Sequence, residues 1–147
     1  MPAINPYLTF KNNCEEAFEF YRSVFGGEFQ GPGIMRMGSM DCGGDQPMPE
    51  EAKNLVMHVA LPIGEGTILM GSDAPEGFGP PLNVGNNISV AIKTDSVEES
   101  DRLFNGLSAG GNVTMPMADA PWGAYFGMFT DKFGINWMIN HDRGPQS

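Results

Sequence analysis

One pattern occurs twice in this chain, and it restricts the fold more than any other feature. Asn13-Cys14-Glu15-Glu16 offers a helix cap with a glutamate three residues on, after which Cys14, Ala17, Phe18, Tyr21, Val24 and Phe25 recur at helical spacing until Gly26-Gly27. Ser96-Val97-Glu98-Glu99 is a second capping box, followed by Val97, Leu103, Phe104 and Leu107 on one face and by Gly110-Gly111, with Gly106 weakening the middle. The caps stand 83 positions apart (96 − 13) and the glycine stops 84 (110 − 26), so the register holds through both helices. Each half has an amphipathic helix that needs an apolar surface to cover, and the simplest way to supply two such surfaces is two like modules.

Strand-type runs surround each helix. Tyr7-Leu8-Thr9-Phe10 and Ser89-Val90-Ala91-Ile92 precede the helices; Gln30 to Met37, Leu55 to Pro62 and Thr67 to Gly71 follow the first, and Asn112 to Met117, Gly123 to Thr130 and Ile135 to Asn140 follow the second. The reading is an α+β chain of two βαβββ modules, 4–72 and 84–141, within a single domain 1–147. Each module is expected to be a curled mixed sheet with its helix outside. Gly66 and Gly134 close the last turn of each half but differ by only 68 positions (134 − 66), so the first module carries an insertion. It falls on Gly38 to Glu51, which lacks periodicity and is crowded with turn formers, and reads as a loop that is either a lid or merely mobile. Asp73 to Asn83, with Pro75, Gly77, Gly79, Pro80 and Pro81, reads as the link between modules.

Composition narrows the function classes. A chain of 147 residues with 41% hydrophobic content can bury one ordinary core. Its apolar runs fall well short of the ~20 residues a membrane helix needs, and Met1 to Pro6 lacks the basic and apolar regions of a secretory leader. A cytoplasmic location without membrane partners is expected. Eighteen acidic against eight basic residues give a charge of −10, which repels phosphate backbones and argues against nucleic acid as a partner. Cys14 and Cys42 lack metal or redox spacing and read as reduced thiols, Cys14 as a half-buried packing residue at a helix start.

Alternation along the strands assigns faces. Leu55, Met57, Val59, Leu61, Leu69, Val90, Ile92, Trp137 and Ile139 should lie under the helices, leaving Val56, His58, Ala60, Ile68, Met70, Ser89, Ala91, Asn136 and Met138 on the open faces. His58 is the one imidazole within a strand, either a structural residue or a group that orients a bound molecule; His141 should be solvent-exposed. Trp122, at a strand entrance, walls a pocket or packs at its rim, and Phe126 follows on the same strand. The eleven methionines suit both irregular packing and adaptable binding surfaces.

Two aromatic-rich runs flank Asp131-Lys132-Phe133-Gly134 and predict a tight hairpin, with Asp as acceptor and Gly at positive φ. The segment Trp122 to Ile139 resembles the closing hairpin of the PhnB-like branch of the vicinal oxygen chelate superfamily, which includes glyoxalase I, extradiol dioxygenases and bleomycin resistance proteins. The resemblance extends from Ile4 to Asn140 and implies the glyoxalase/bleomycin resistance fold and a homodimer. In metal-dependent relatives, first and last strands of each module supply His and Glu/Gln ligands; the matching positions here are Pro6, Met70, Ser89 and Met138, a poor set for a hard divalent ion.

No metal or other cofactor is therefore expected. The preferred reading is a metal-free protein that binds a small organic molecule through His58, Met70, Ser89, Trp122, Phe126, Asn136 and Met138, with a cationic ligand favoured by the acidic balance. The alternatives are a metal-dependent lyase, isomerase or dioxygenase, and an assembly or regulatory module without a dedicated substrate. The methyltransferase label often given to PhnB-like sequences finds no nucleotide-methyl-donor pattern in this chain.

Overall fold

Residues 2–39, 50–64, 66–75 and 80–143 are described by a computed structural model. The chain divides into two units, Met1–Asn83 and Val84–Ser147. In the first, the elements are β1 (Tyr7–Phe10), α1 (Cys14–Phe25), β2 (Met35–Arg36), a 3-10 turn (Met37–Ser39), α2 (Glu50–Lys53), β3 (Val56–Ile63) and β4 (Thr67–Asp73). The second holds β5 (Val90–Lys93), α3 (Val97–Ser108), β6 (Asn112–Asp119), β7 (Ala124–Thr130) and β8 (Asn136–Asp142).

Both sheets share one connectivity. Their strand orders are β1-β4-β3-β2 and β5-β8-β7-β6. In each, the first and last strands of the unit run parallel and the other neighbours antiparallel. A mixed four-stranded sheet with one long helix per unit is the α+β arrangement that the repeat predicts.

Apolar burial fixes each helix on its sheet. Cys14, Ala17, Phe18 and Tyr21 of α1 are fully buried, as are Val59 and Leu61 of β3, and Leu69 of β4 nearly so. Burying a side chain such as Phe18 contributes about 1.5–3 kcal/mol. Gly71 makes the contact possible: a Cβ there would stand 2.5 Å from the Phe18 ring and 2.9 Å from the Leu8 carbonyl oxygen. In the second unit Leu103, Phe104 and Leu107 of α3 cover Phe129, Trp137 and Ile139, with the Phe104 and Phe129 rings edge to face at 5.0 Å.

The two helix starts differ. Ser96 caps α3 as predicted: its Oγ accepts the Glu99 N–H at 3.0 Å, while Glu99 Oε1 accepts the Asp95 N–H at 3.1 Å. Asn13 makes no such bond. The N-terminus of α1 is served instead from 59 positions away, where Asp73 Oδ1 accepts the Cys14 N–H at 2.9 Å and Oδ2 accepts the Val56 N–H at 2.8 Å. A buried carboxylate at a helix N-terminus makes charge-assisted bonds and opposes the helix dipole, and this outweighs a neutral asparagine cap.

The hairpin between β7 and β8 forms on the predicted turn. Gly134 has φ +92 and donates to the Asp131 carbonyl at 3.0 Å, while the Asp131 N–H reaches the Ile135 carbonyl at 2.8 Å. The Asp131 carboxylate is buried and accepts from the N–H groups of Phe133 (2.8 Å) and Ile135 (3.0 Å) and from Trp137 Nε1 (2.8 Å).

Several boundaries move. The strand expected over Gln30 to Met37 shrinks to Met35–Arg36, because Gly31 and Gly33 take positive φ (64 and 90) and turn the backbone. The loop expected over Gly38 to Glu51 begins with a 3-10 turn and ends in α2; Met40 to Pro49, and with them Cys42 and the lid question, lie outside the described residues. Ser89 precedes β5 rather than opening it. Val56, assigned to the open face, is fully buried while Met57 is half-buried, at the end of β3 where the pairing with β2 shifts register and Asp73 holds the Val56 N–H.

Candidate functional site

Residues paired across neighbouring strands share a face of the sheet. In the first unit β1 and β4 pair Tyr7 with Met70 and Thr9 with Ser72, while the intervening Leu8 pairs with Gly71, on the α1 side. Tyr7, Thr9, Met70 and Ser72 therefore lie on the face away from α1. His58 joins them: its ring stacks on that of Tyr7 with centroids 5.9 Å apart and planes at 29°.

A cavity of about 470 Å³ lies at one end of this face. Its polar lining includes Thr9, Ser72 and Asn83, and its apolar lining Met37, Ala52, Leu82 and the prolines Pro75, Pro80 and Pro81. Its size is that of a small-molecule site, and its lining follows the usual form of apolar walls with a few polar groups. His58 and Met70 share the face without being among the lining residues. Alternation along β1 and β4 was the available signal for Thr9 and Ser72. The prolines of the inter-module segment carried none, because nothing local tells which way an irregular segment folds back.

In the second unit, Met138 pairs with Ala91 on one side and Met128 on the other, and Phe126 pairs with Asn140. These residues lie away from α3, since the alternate set, Phe129, Trp137 and Ile139, is buried beneath it. Trp122 is 65% exposed and meets the Phe126 ring edge-on at 5.5 Å. Ser89, two residues before Ala91, is half-buried. Asn136 is engaged within the protein: Oδ1 accepts from Thr130 Oγ1 at 2.9 Å, and Nδ2 donates to the carbonyls of Gly85 (3.3 Å) and Ile88 (3.2 Å). That amide ties the segment before β5 to β8, which leaves it little capacity for a ligand. His141, expected to be exposed, is half-buried with Nδ1 3.1 Å from the Thr94 carbonyl oxygen.

The repeat register also needs one correction. Tyr7, not Pro6, pairs with Met70, whereas Ala91 pairs with Met138, so the first strands of the two units match at a shift of 84 (91 − 7) rather than 83. Pro6 lies before β1 and accepts the Met70 N–H at 3.1 Å through its carbonyl; Ser89 then matches Asn5, whose Oδ1 accepts the Ile68 N–H at 2.9 Å. The corrected positions offer an engaged amide, a phenol, a hydroxyl and two thioethers. Among the described residues, no group of three or more His, Cys, Asp or Glu could hold a metal ion. This donor set does not fit the hard divalent ion of metal-dependent relatives.

Cys14 is fully buried rather than half-buried. Burial, with the negative charges of Asp73 and Glu15 added, pushes its thiol well above the ordinary cysteine range and opposes thiolate formation.

No helix among the described residues is long and apolar enough to cross a membrane. The sequence profile of the family described as 3-demethylubiquinone-9 3-methyltransferase matches residues 2–140. The solved structure of protein PA1353 from Pseudomonas aeruginosa is 38% identical, with 98% of this chain and 100% of that one covered, and superposes with a TM-score of 0.81. A PhnB protein from Bacillus cereus, described as a putative 3-demethylubiquinone-9 3-methyltransferase, is 26% identical with a TM-score of 0.71, over 95% of this chain and 99% of that one. Protein YjdN of Escherichia coli is 28% identical over 93% of both chains. Solved structures described as glyoxalase/bleomycin resistance protein/dioxygenase proteins share the fold at TM-scores of 0.67 and 0.56. The duplicated mixed sheets, the closing hairpin and the profile match converge: the chain belongs to the family described as 3-demethylubiquinone-9 3-methyltransferase, in the PhnB-like branch of the vicinal oxygen chelate superfamily.

Proposed function

We propose that this protein binds a small organic molecule without a resident metal ion, using the faces of its sheets that its helices leave open. The observation that carries this reading is the cavity of about 470 Å³ beside Thr9 and Ser72. Tyr7, His58 and Met70 continue the same face and supply aromatic and thioether contacts to a ligand that extends beyond it. In the second unit Ser89, Trp122, Phe126 and Met138 form the corresponding set, from which the internal bonds of Asn136 remove it. The family description names a methyl transfer, but among the described residues each sheet has one parallel pair, unlike the parallel doubly wound sheet of nucleotide-binding folds, so binding is the function proposed.

A thermal-shift panel of uncharged and cationic aromatic compounds tests the reading. At least one should raise the unfolding midpoint, since a ligand that binds only the folded state stabilises it, and Ser72→Trp should abolish that shift by filling the cavity. A panel without any response overturns the proposal.

Native mass spectrometry of protein purified without chelator addresses two further parts of it. The homodimer implied by the family predicts twice 15.9 kDa. Stoichiometric zinc, nickel, manganese or iron would favour the metal-dependent enzyme instead, and a mass of one chain would remove the dimer.

A further inference from the structure

We infer that the cavity of the first unit selects uncharged ligands, against the direction that the net charge of the chain suggests. The inference rests on the binding reading above and narrows its ligand class. Among the described residues that line the cavity, Asp73 is the only one with an ionisable side chain. Its position in the ladder turns that side chain away: Asp73 pairs with Phe10, which is 2% exposed, whereas the hydroxyls of the cavity come from the adjacent pair, Thr9 and Ser72. Its two oxygens are held by the N–H groups of Cys14 and Val56, both fully buried residues. Among the described residues the rest of the lining is uncharged, with Thr9, Ser72 and Asn83 as its polar members.

Two electrostatic effects then compete for a cationic ligand. The charge of −10 attracts it from a distance, but at physiological ionic strength this attraction fades over about 8 Å. Entry requires the cation to give up part of its hydration to a cavity whose described lining turns no carboxylate toward it, a loss that no counter-charge among the described residues offsets. Desolvation therefore dominates the binding equilibrium, leaving steering to affect the rate of encounter. An anion meets the same cost and the repulsion as well. A neutral aromatic alcohol or carbonyl compound, by contrast, can keep one hydrogen bond to Thr9, Ser72 or Asn83 and lay its ring on the proline surface.

A charge series on one ring system decides the matter. 2-Naphthylmethanol, 2-naphthylmethylammonium and 2-naphthoate are titrated calorimetrically into the intact protein at pH 7 and physiological salt. The alcohol should bind at least about tenfold more tightly than either ion, and the heat should vanish in Ser72→Trp, or in Leu82→Trp should the first variant fail to fold. Equal or tighter binding of the ammonium overturns the selectivity while leaving the cavity as a binding site. Binding that survives a folded cavity-filling variant overturns it too, because the discrimination then belongs elsewhere. No measurable binding of any of the three overturns both the selectivity and the assignment of the cavity.

Discussion

Asp131→Ala is expected to lower the unfolding free energy by about 4 kcal/mol. The substitution removes the acceptor of three donors at once, the N–H groups of Phe133 and Ile135 and Nε1 of Trp137, in a place where Asp131 is 3% exposed and Trp137 1%. A bond to a charged group contributes about 1.5–3 kcal/mol, and a buried donor left without a partner costs about 1–3 kcal/mol. The total falls below the sum of three such terms because the turn can relax and admit water. Asp131→Asn keeps one carbonyl acceptor but presents an NH₂ to donors that need oxygen, so about half the loss is expected. Urea unfolding with a two-state fit measures both variants. A loss below about 1 kcal/mol for the alanine variant would mean that the turn holds through its backbone bonds and Gly134 alone.

The second large effect is expected at Asp73, whose replacement by alanine should cost about 3 kcal/mol. Two buried N–H groups lose their acceptor, and the N-terminus of α1 loses the negative charge that opposes its dipole. Because Asp73 joins the start of α1 to the start of β3, the damage should concentrate there, with amide exchange at Cys14 and Val56 accelerating more than exchange in β7 and β8. Equal acceleration in both units would show that Asp73 acts through global stability instead. Asn13→Ala serves as the contrast, since Asn13 makes no side-chain capping bond and its loss should change stability by less than about 0.5 kcal/mol.

These two carboxylates mark how far the chain could be read in advance. Asp131 was legible because its partners lie within six residues and a turn of Asp, two residues and Gly has a small set of backbone solutions. Asp73 was not, because its partners are 59 and 17 positions away and nothing local distinguishes it from a polar residue at a strand end. The same division runs through the helices. Ser96 caps α3 through the Glu99 N–H and the Glu99 side chain reaches back to the Asp95 N–H, all local bonds, whereas the equivalent pattern at Asn13 and Glu16 was displaced by a residue that only the sheet brings near.

The candidate site follows that division too. Period-two alternation correctly placed Leu69, Trp137 and Ile139 under the helices, because apolar burial on one face repeats along each strand. The pairing of Tyr7 rather than Pro6 with Met70 moved the matching position on β1 by one, since a parallel register is set by hydrogen bonds to a strand far along the chain. His58 and Met70 were visible as open-face residues, but the cavity walls contributed by Pro75 and by residues 80–83 were not.

Sequence alone determined the duplication, the helices with their glycine stops, the closing hairpin and the apolar faces, all of which depend on contacts within a few residues or on a simple period. Tertiary structure decided which acceptor serves the start of α1, which first-strand residue stands beside Met70, and where a cavity opens. Those outcomes depend on groups that meet only after the strands have paired, and the energy that selects among them comes from long-range hydrogen bonds and burial rather than from local backbone preference.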